Sequence, residues 1–344
     1  MWKQPFFIIG FSVLALLLAS SFAYEWIWGT TPRQVQFLIE NGRVVEAPPI
    51  SPNASMPFGS DPFGYDILGK IVLGAKYTIL AALLVAALRM LIAIPAGYFL
   101  ATYLRRHRTW IGGLADSLHY IPLSVFAAFV LFPVLWMPEG GFTTTLWERI
   151  FIQIVIMALL TAPVIAVLIG NEASLVYRKE YVLASRTLGA SKFRLIRKHL
   201  FPQMREKLAV LYGQQVIETF IVLAHLGLLD LFLGGTKVSY DPMLADPPMS
   251  ISFEWAGLFG SSFRYLQGAP WLPLIPVLFI AIAILSVSLM MEGYIRSKNP
   301  KVKKRKLSAK EETVIEWNRT ELRKKMVRLA GMEESEGAVT RDPH

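Results

Sequence analysis

The chain has no cysteine among its 344 residues, which excludes disulfides, thiol catalysis and cysteine-ligated metal sites. Charge is also scarce. Asp, Glu, Lys and Arg make up 17% of the chain, where a soluble domain carries about a quarter. The five histidines are scattered, with no spacing that would hold a metal. No segment pairs two carboxylates, or a nucleophile with a base, so enzyme chemistry has no evident seat. Gly64-Tyr-Asp-Ile-Leu-Gly-Lys70-Ile71 almost spells a phosphate-binding loop. Ile71 stands where that loop needs a hydroxyl for magnesium, so the match is rejected. The expectation is a protein that is not an enzyme and carries no cofactor.

What the chain does have is long apolar runs, with 54% apolar residues overall. A helix crosses a bilayer core of ~30 Å with about 20 mainly apolar residues. Pro5–Tyr24, Phe151–Gly170 and Leu272–Met291 supply that length without a charge. Three more runs are nearly as apolar: Tyr77–Leu104 with Arg89, Ile111–Trp136 with Asp116, and Leu208–Leu233 with Glu218 and Asp230. Backbone amides in hydrocarbon must bond within their own segment, which makes these runs helices. The expected fold is therefore an all-α membrane bundle of six transmembrane helices. Pro95, Pro122, Pro133 and Pro163 fall inside the runs and predict kinks. Lys3 and Ser21-Phe22-Ala23 give the first run a loose likeness to a signal peptide. Its length and the aromatics Tyr24, Trp26 and Trp28 favour a retained span with an interfacial belt.

Positive charge fixes an expected orientation, because Lys- and Arg-rich loops stay cytoplasmic. With the N-terminus inside, inner segments hold three Lys/Arg in 105–108, nine in 177–208 and fourteen in 296–344. The outer segments 25–70, 137–148 and 234–271 hold three, none and two. Both termini are then cytoplasmic in a multi-pass cell-membrane protein, and the net charge of +10 reflects topology rather than nucleic-acid binding. The cluster Lys301-Val-Lys-Lys-Arg-Lys306 suits anionic headgroups of the lipid bilayer.

The expected organisation is a first span in 1–24, an extracellular loop in 25–70, a five-span core in 71–296 and a basic cytoplasmic tail in 297–344. In the loop, Asn41-Gly42 between β-rich flanks signals a hairpin. In the core, the cytoplasmic loop 180–202 reads as two short helices. Gly189 suits the left-handed residue that ends the first, Ser191 caps the second, and Pro202 stops it. Val182, Leu188, Phe193, Ile196 and Leu200 are read as one apolar side, with Arg186, Lys192, Arg194, Arg197 and Lys198 outside it. Pattern alone fits either a helix lying on lipid or one lying in a groove of another protein.

The segment resembles the coupling motif of bacterial ABC-importer permeases, a short Glu-Ala-Ala run, then Gly, then Pro. Gly189 and Pro202 keep that spacing, while Leu183-Ala184-Ser185 stand where Glu-Ala-Ala would, matching only at Ala184. The block Pro57-Phe-Gly-Ser-Asp61-Pro-Phe-Gly64-Tyr-Asp66 and Gly74-Ala75-Lys76 are similar to the dipeptide, oligopeptide and nickel permeases of that class, with Tyr65 in place of the usual Arg. Glu218 with Leu226-Gly227-Leu228, then Trp255-Ala-Gly257, then Pro270-Trp271, Glu292-Gly293 and Asn299-Pro300 continue the likeness. The resemblance implies a permease subunit moving di- or oligopeptides inward. Its implied partners are a homologous second permease, two ABC ATPase subunits and an extracellular substrate-binding protein. It implies ATPase coupling through Glu180, Leu183, Ala184, Ser185, Gly189, Ala190, Phe193 and Pro202. Nickel chelates or another small solute are alternative cargoes.

Arg89 and Glu218 lie near the centres of their runs, where an ionised group costs at least about 2.5–3.5 kcal/mol. They are expected to pair as a tie between helices, or to line the translocation path. An ion-coupled secondary transporter would want acids deep in several spans, and only Glu218 is so placed.

Overall fold

The structure is a computed structural model that describes residues 4–298, apart from 41–42, 105–107, 118–121 and 242–245. The basic tail, the Asn41-Gly42 turn and His119 lie outside the described residues. In chain order the elements are α1 (Pro5–Trp28), β1 (Leu38–Glu40), β2 (Arg43–Glu46), α2 (Ile67–Thr102), α3 (Arg108–Ser117), α4 (Leu123–Leu135) and α5 (Leu146–Tyr177). Then follow α6 (Glu180–Thr187), α7 (Lys192–Leu195), a π-turn at Ile196–Leu200, α8 (Phe201–Leu228), β3 (Thr236–Lys237), β4 (Met249–Ser250), α9 (Trp255–Ser262) and α10 (Trp271–Lys298). Strands β1 and β2 pair antiparallel, as do β3 and β4.

Among the described residues, five helical stretches are long and apolar enough to cross a membrane: α1, α2, α5, the Lys192–Leu228 stretch and α10. The third expected run holds α3 and the 13-residue α4, and residues 118–121 between them lie outside the described residues. Pro122 explains where α4 begins. It occupies the N-cap position, where its missing N–H costs nothing.

Local chemistry sets the helix starts. Asp61 accepts from the Phe63 and Tyr65 amides at 3.0 and 2.8 Å, and Asp66 caps α2 by accepting from Leu68 N at 3.1 Å. The helix therefore begins ten residues before the apolar run Tyr77–Leu104. Lys70 and Lys76, caught inside it, are buried in ion pairs with Asp61 and Glu25. Thr145 and Glu148 form a capping box at the start of α5.

The most extensive packing is α2 against α5. Close approach needs small residues at membrane-helix crossings: a Cβ on Gly97 of α2 would lie 2.7 Å from Ile169 Cβ on α5. Helix α1 joins the bundle against α2 and α10. Ser21 Oγ donates to Leu73 O at 3.1 Å, and a Cβ on Gly10 would lie 2.2 Å from Ser286 O.

At the end of the bundle where α8 finishes and α9 starts, the buried Glu254 accepts from Leu233 N at 3.2 Å and Ala256 N at 2.7 Å. Burial pushes this carboxyl up to about 7. Trp255 locks the same end, donating from Nε1 to Ile71 O at 2.8 Å.

Candidate functional site

Two constellations stand out, an elbow at 180–202 and a polar cluster inside the bundle. In the elbow, α6 ends at Thr187, and Gly189 turns the chain with φ 85°, a left-handed conformation that glycine adopts without penalty. Ser191 then caps α7, its Oγ accepting from Arg194 N at 3.3 Å. Val182, Leu195 and Leu200 are buried with Tyr98, Ala173, Tyr177 and Met204, so the elbow is seated on the ends of α2, α5 and α8. Ser185 Oγ lies 3.1 Å from His199 Nε2 and ties α6 to the π-turn.

The expected single apolar side does not form. Leu188 is 88% and Phe193 68% exposed, while Leu195, which the pattern did not single out, is fully buried. The reversal at Gly189 puts α6 and α7 on different axes, so each buries its own residue. Pro202 also departs from expectation. The helix continues from Lys192 through Leu228, and Pro202 sits in its interior as the second residue of α8. Just before it, Phe201 N donates to Ile196 O, five residues back. This wider π-turn accommodates a residue that lacks an N–H and would otherwise crowd the preceding turn. Glu180, Leu183, Ala184, Gly189, Phe193 and Pro202 are all exposed, and Ser185 and Ala190 are partly so.

Inside the bundle, Arg89 of α2 is fully buried. Its Nη1 donates to Gln215 Oε1 at 2.6 Å and lies 3.4 Å from Glu218 Oε2. Its Nη2 reaches Met157 O at 3.4 Å. One guanidinium thus ties α2 to α5 and α8. Glu218 is the expected partner, but Gln215 is nearer. The signal for it was present: Gln215 precedes Glu218 by three residues and so shares its helix face. The two chemical roles open to such a cluster are structural bracing and contact with a polar solute. Among the described residues no group of His, Asp and Glu could hold a metal ion.

Comparison with known proteins decides the family. Residues 93–304 match the model of the binding-protein-dependent transport system inner membrane component, well over half of the chain. The chain belongs to this family. It is similar to the dipeptide transport system permease protein DppC of Alkalihalophilus pseudofirmus, 23% identical over 150 residues. That match covers 44% of this chain and 44% of the relative. A putative peptide transport system permease protein of Brucella suis biovar 1 is 25% identical over 301 residues, covering 88% of this chain and 90% of that one. Among solved structures, the inward-facing MetNI methionine ABC transporter matches with a TM-score of 0.47 at 15% identity, over 66% of this chain and 94% of that chain. The family match, not that likeness, makes this chain the membrane permease component of its transport system, with ATP hydrolysed by partner subunits.

Proposed function

We propose that this inner membrane component forms one half of the pathway of an ATP-driven importer of di- or oligopeptides, coupled to separate ATPase subunits through residues 180–202. The observation that carries the coupling is the elbow's divided surface. Val182, Leu195 and Leu200 root it in the bundle, while Leu188 and Phe193 stand uncovered among Arg186, Lys192, Arg194, Arg197 and Lys198. Large apolar side chains ringed by charge are what a docking partner covers. The bias of Lys and Arg toward this end supports a cytoplasmic position for it, where ATP is.

The mechanism follows from those roots. Force applied at Leu188 and Phe193 passes through Val182 and Leu195 to Tyr177 and Met204, at the ends of α5 and α8. These long helices transmit tilt along the bundle, and two such halves would open alternately to either side. The expected assembly has a homologous second permease, two ATPases and an extracellular binding protein, embedded in the lipid bilayer, with no nucleic acid. The organisation proposed for the chain is a first span, an extracellular loop to residue 70, a core from 71 to 296 and a cytoplasmic tail. The peptide cargo rests on what the named relatives carry.

Proteoliposomes holding the four-subunit complex and its binding protein should take up a radiolabelled tripeptide only with ATP and the ATPase subunits. Uptake abolished by an ionophore while ATP is present would overturn the reading.

A further inference from the structure

The uncovered faces of the membrane helices differ in chemistry. On α2 the exposed positions are Leu80, Leu84, Ala87, Leu91, Pro95 and Phe99. On α10, between Leu274 and Leu285, they are Leu274, Val277, Leu278, Ala281 and Leu285. Both faces suit lipid tails. On α8, Gln214 and His225 are exposed, and Glu218 lies between them with its side chain 39% exposed. Ile221 completes a single stripe at helical spacing, about 16 Å long at 1.5 Å per residue.

Lipid cannot cover this stripe cheaply. An ionised side chain near the bilayer centre costs at least about 2.5–3.5 kcal/mol, and the glutamine and histidine beside it bring unmet hydrogen bonds. Glu218 is also held in a particular way. Arg89 is engaged inside the bundle, nearer to Gln215 than to Glu218, and touches only one carboxylate oxygen. Among the described residues the other oxygen has no partner. A carboxylate so placed turns its second oxygen, an acceptor, toward whatever passes.

We propose that Gln214, Glu218 and His225 line a water-filled passage closed by the second membrane subunit. Glu218 meets a cationic group of the cargo there, such as a peptide's amino terminus, and Arg89 is its positioning residue. This rests on the transporter reading above and adds a polar track and a charge preference to it.

The test uses the assembled complex in proteoliposomes. This chain has no cysteine of its own, so single substitutions report without background from it. Q214C and H225C should react with membrane-impermeant methanethiosulfonates, while L91C and L278C should not. Silence at both 214 and 225 would overturn the passage. At Q214C the trimethylammonium reagent should outpace the sulfonate reagent, and adding Glu218→Gln should lower that rate ratio about tenfold. An unchanged ratio would remove the carboxylate's role. Peptide uptake should fall at least fivefold in E218Q and stay low in R89M/E218Q; recovery in the double variant would leave Glu218 as a helix tie only. Labelling is read without cargo, so it stands apart from the transport reading, which fails if the unsubstituted complex takes up no peptide.

Discussion

At the elbow, Leu188 and Phe193 lie open among cations where water is expected; along the second half of α8, Gln214 and His225 lie open where lipid is expected. The two surfaces invert the usual rule in opposite directions, and in the proposals above each inversion marks a missing neighbour. An apolar knob in water asks for a protein groove. A polar stripe among apolar spans asks for water or a polar solute. The faces of α2 and α10 show no such inversion and serve as the reference for both.

The contrast is most exposed to attack on the lipid-facing side. Leu91→Lys should destabilise the membrane-inserted protein by about 2.5–3.5 kcal/mol, read as lost yield of folded complex, whereas Gln214→Lys on the proposed wet stripe should leave yield near normal. Equal losses would erase the distinction between the two faces. Next comes Phe193→Asp, which should weaken ATPase association by about thirtyfold, on the order of 2 kcal/mol, in a pull-down from detergent, without changing the folded yield. Retained association would strip the knob of its partner.

A smaller effect is expected at Gly189. A Cβ there would meet nothing within 4 Å, so the cost of Gly189→Val is conformational, about 1–2 kcal/mol for forcing a branched residue to a left-handed φ. The readout is a fall in peptide carried per ATP, with Gly189→Asn closer to wild type. The mildest prediction concerns Glu254, a buried acid that has its neighbours, unlike Glu218. Its folded value is raised, chiefly by burial, so its contribution to stability is full below the ordinary carboxyl range and is lost as pH rises through about 7. The melting temperature should therefore decline between pH 5 and pH 8, and Glu254→Gln should flatten that slope. A steeper slope in the variant would contradict the assignment.

Much of this was legible in advance because it depends on short stretches of chain. Apolar run length located α1, α5 and α10, and the charges of Arg89 and Glu218 stood out within apolar runs, as a pair or as lining of a path; the two groups lie 3.4 Å apart. Gly189 and Ser191 carried their own turn and cap chemistry. The failures came where a distant segment decides. The start of α2 was missed because Lys70 and Lys76 look like loop residues until Asp61 and Glu25 neutralise them. Pro202 looked like a stop until the π-turn before it made room. Leu188 and Leu195 were indistinguishable by type, and only the fold buries one and leaves the other bare.

Sequence alone determined that the chain is a helical membrane protein with a glycine-broken basic loop, since hydrophobic length, charge bias and turn residues act locally. Only the tertiary structure decided which face of each helix has a neighbour. That choice depends on how α2, α5 and α8 pack around Arg89, and no stretch of residues carries that geometry by itself.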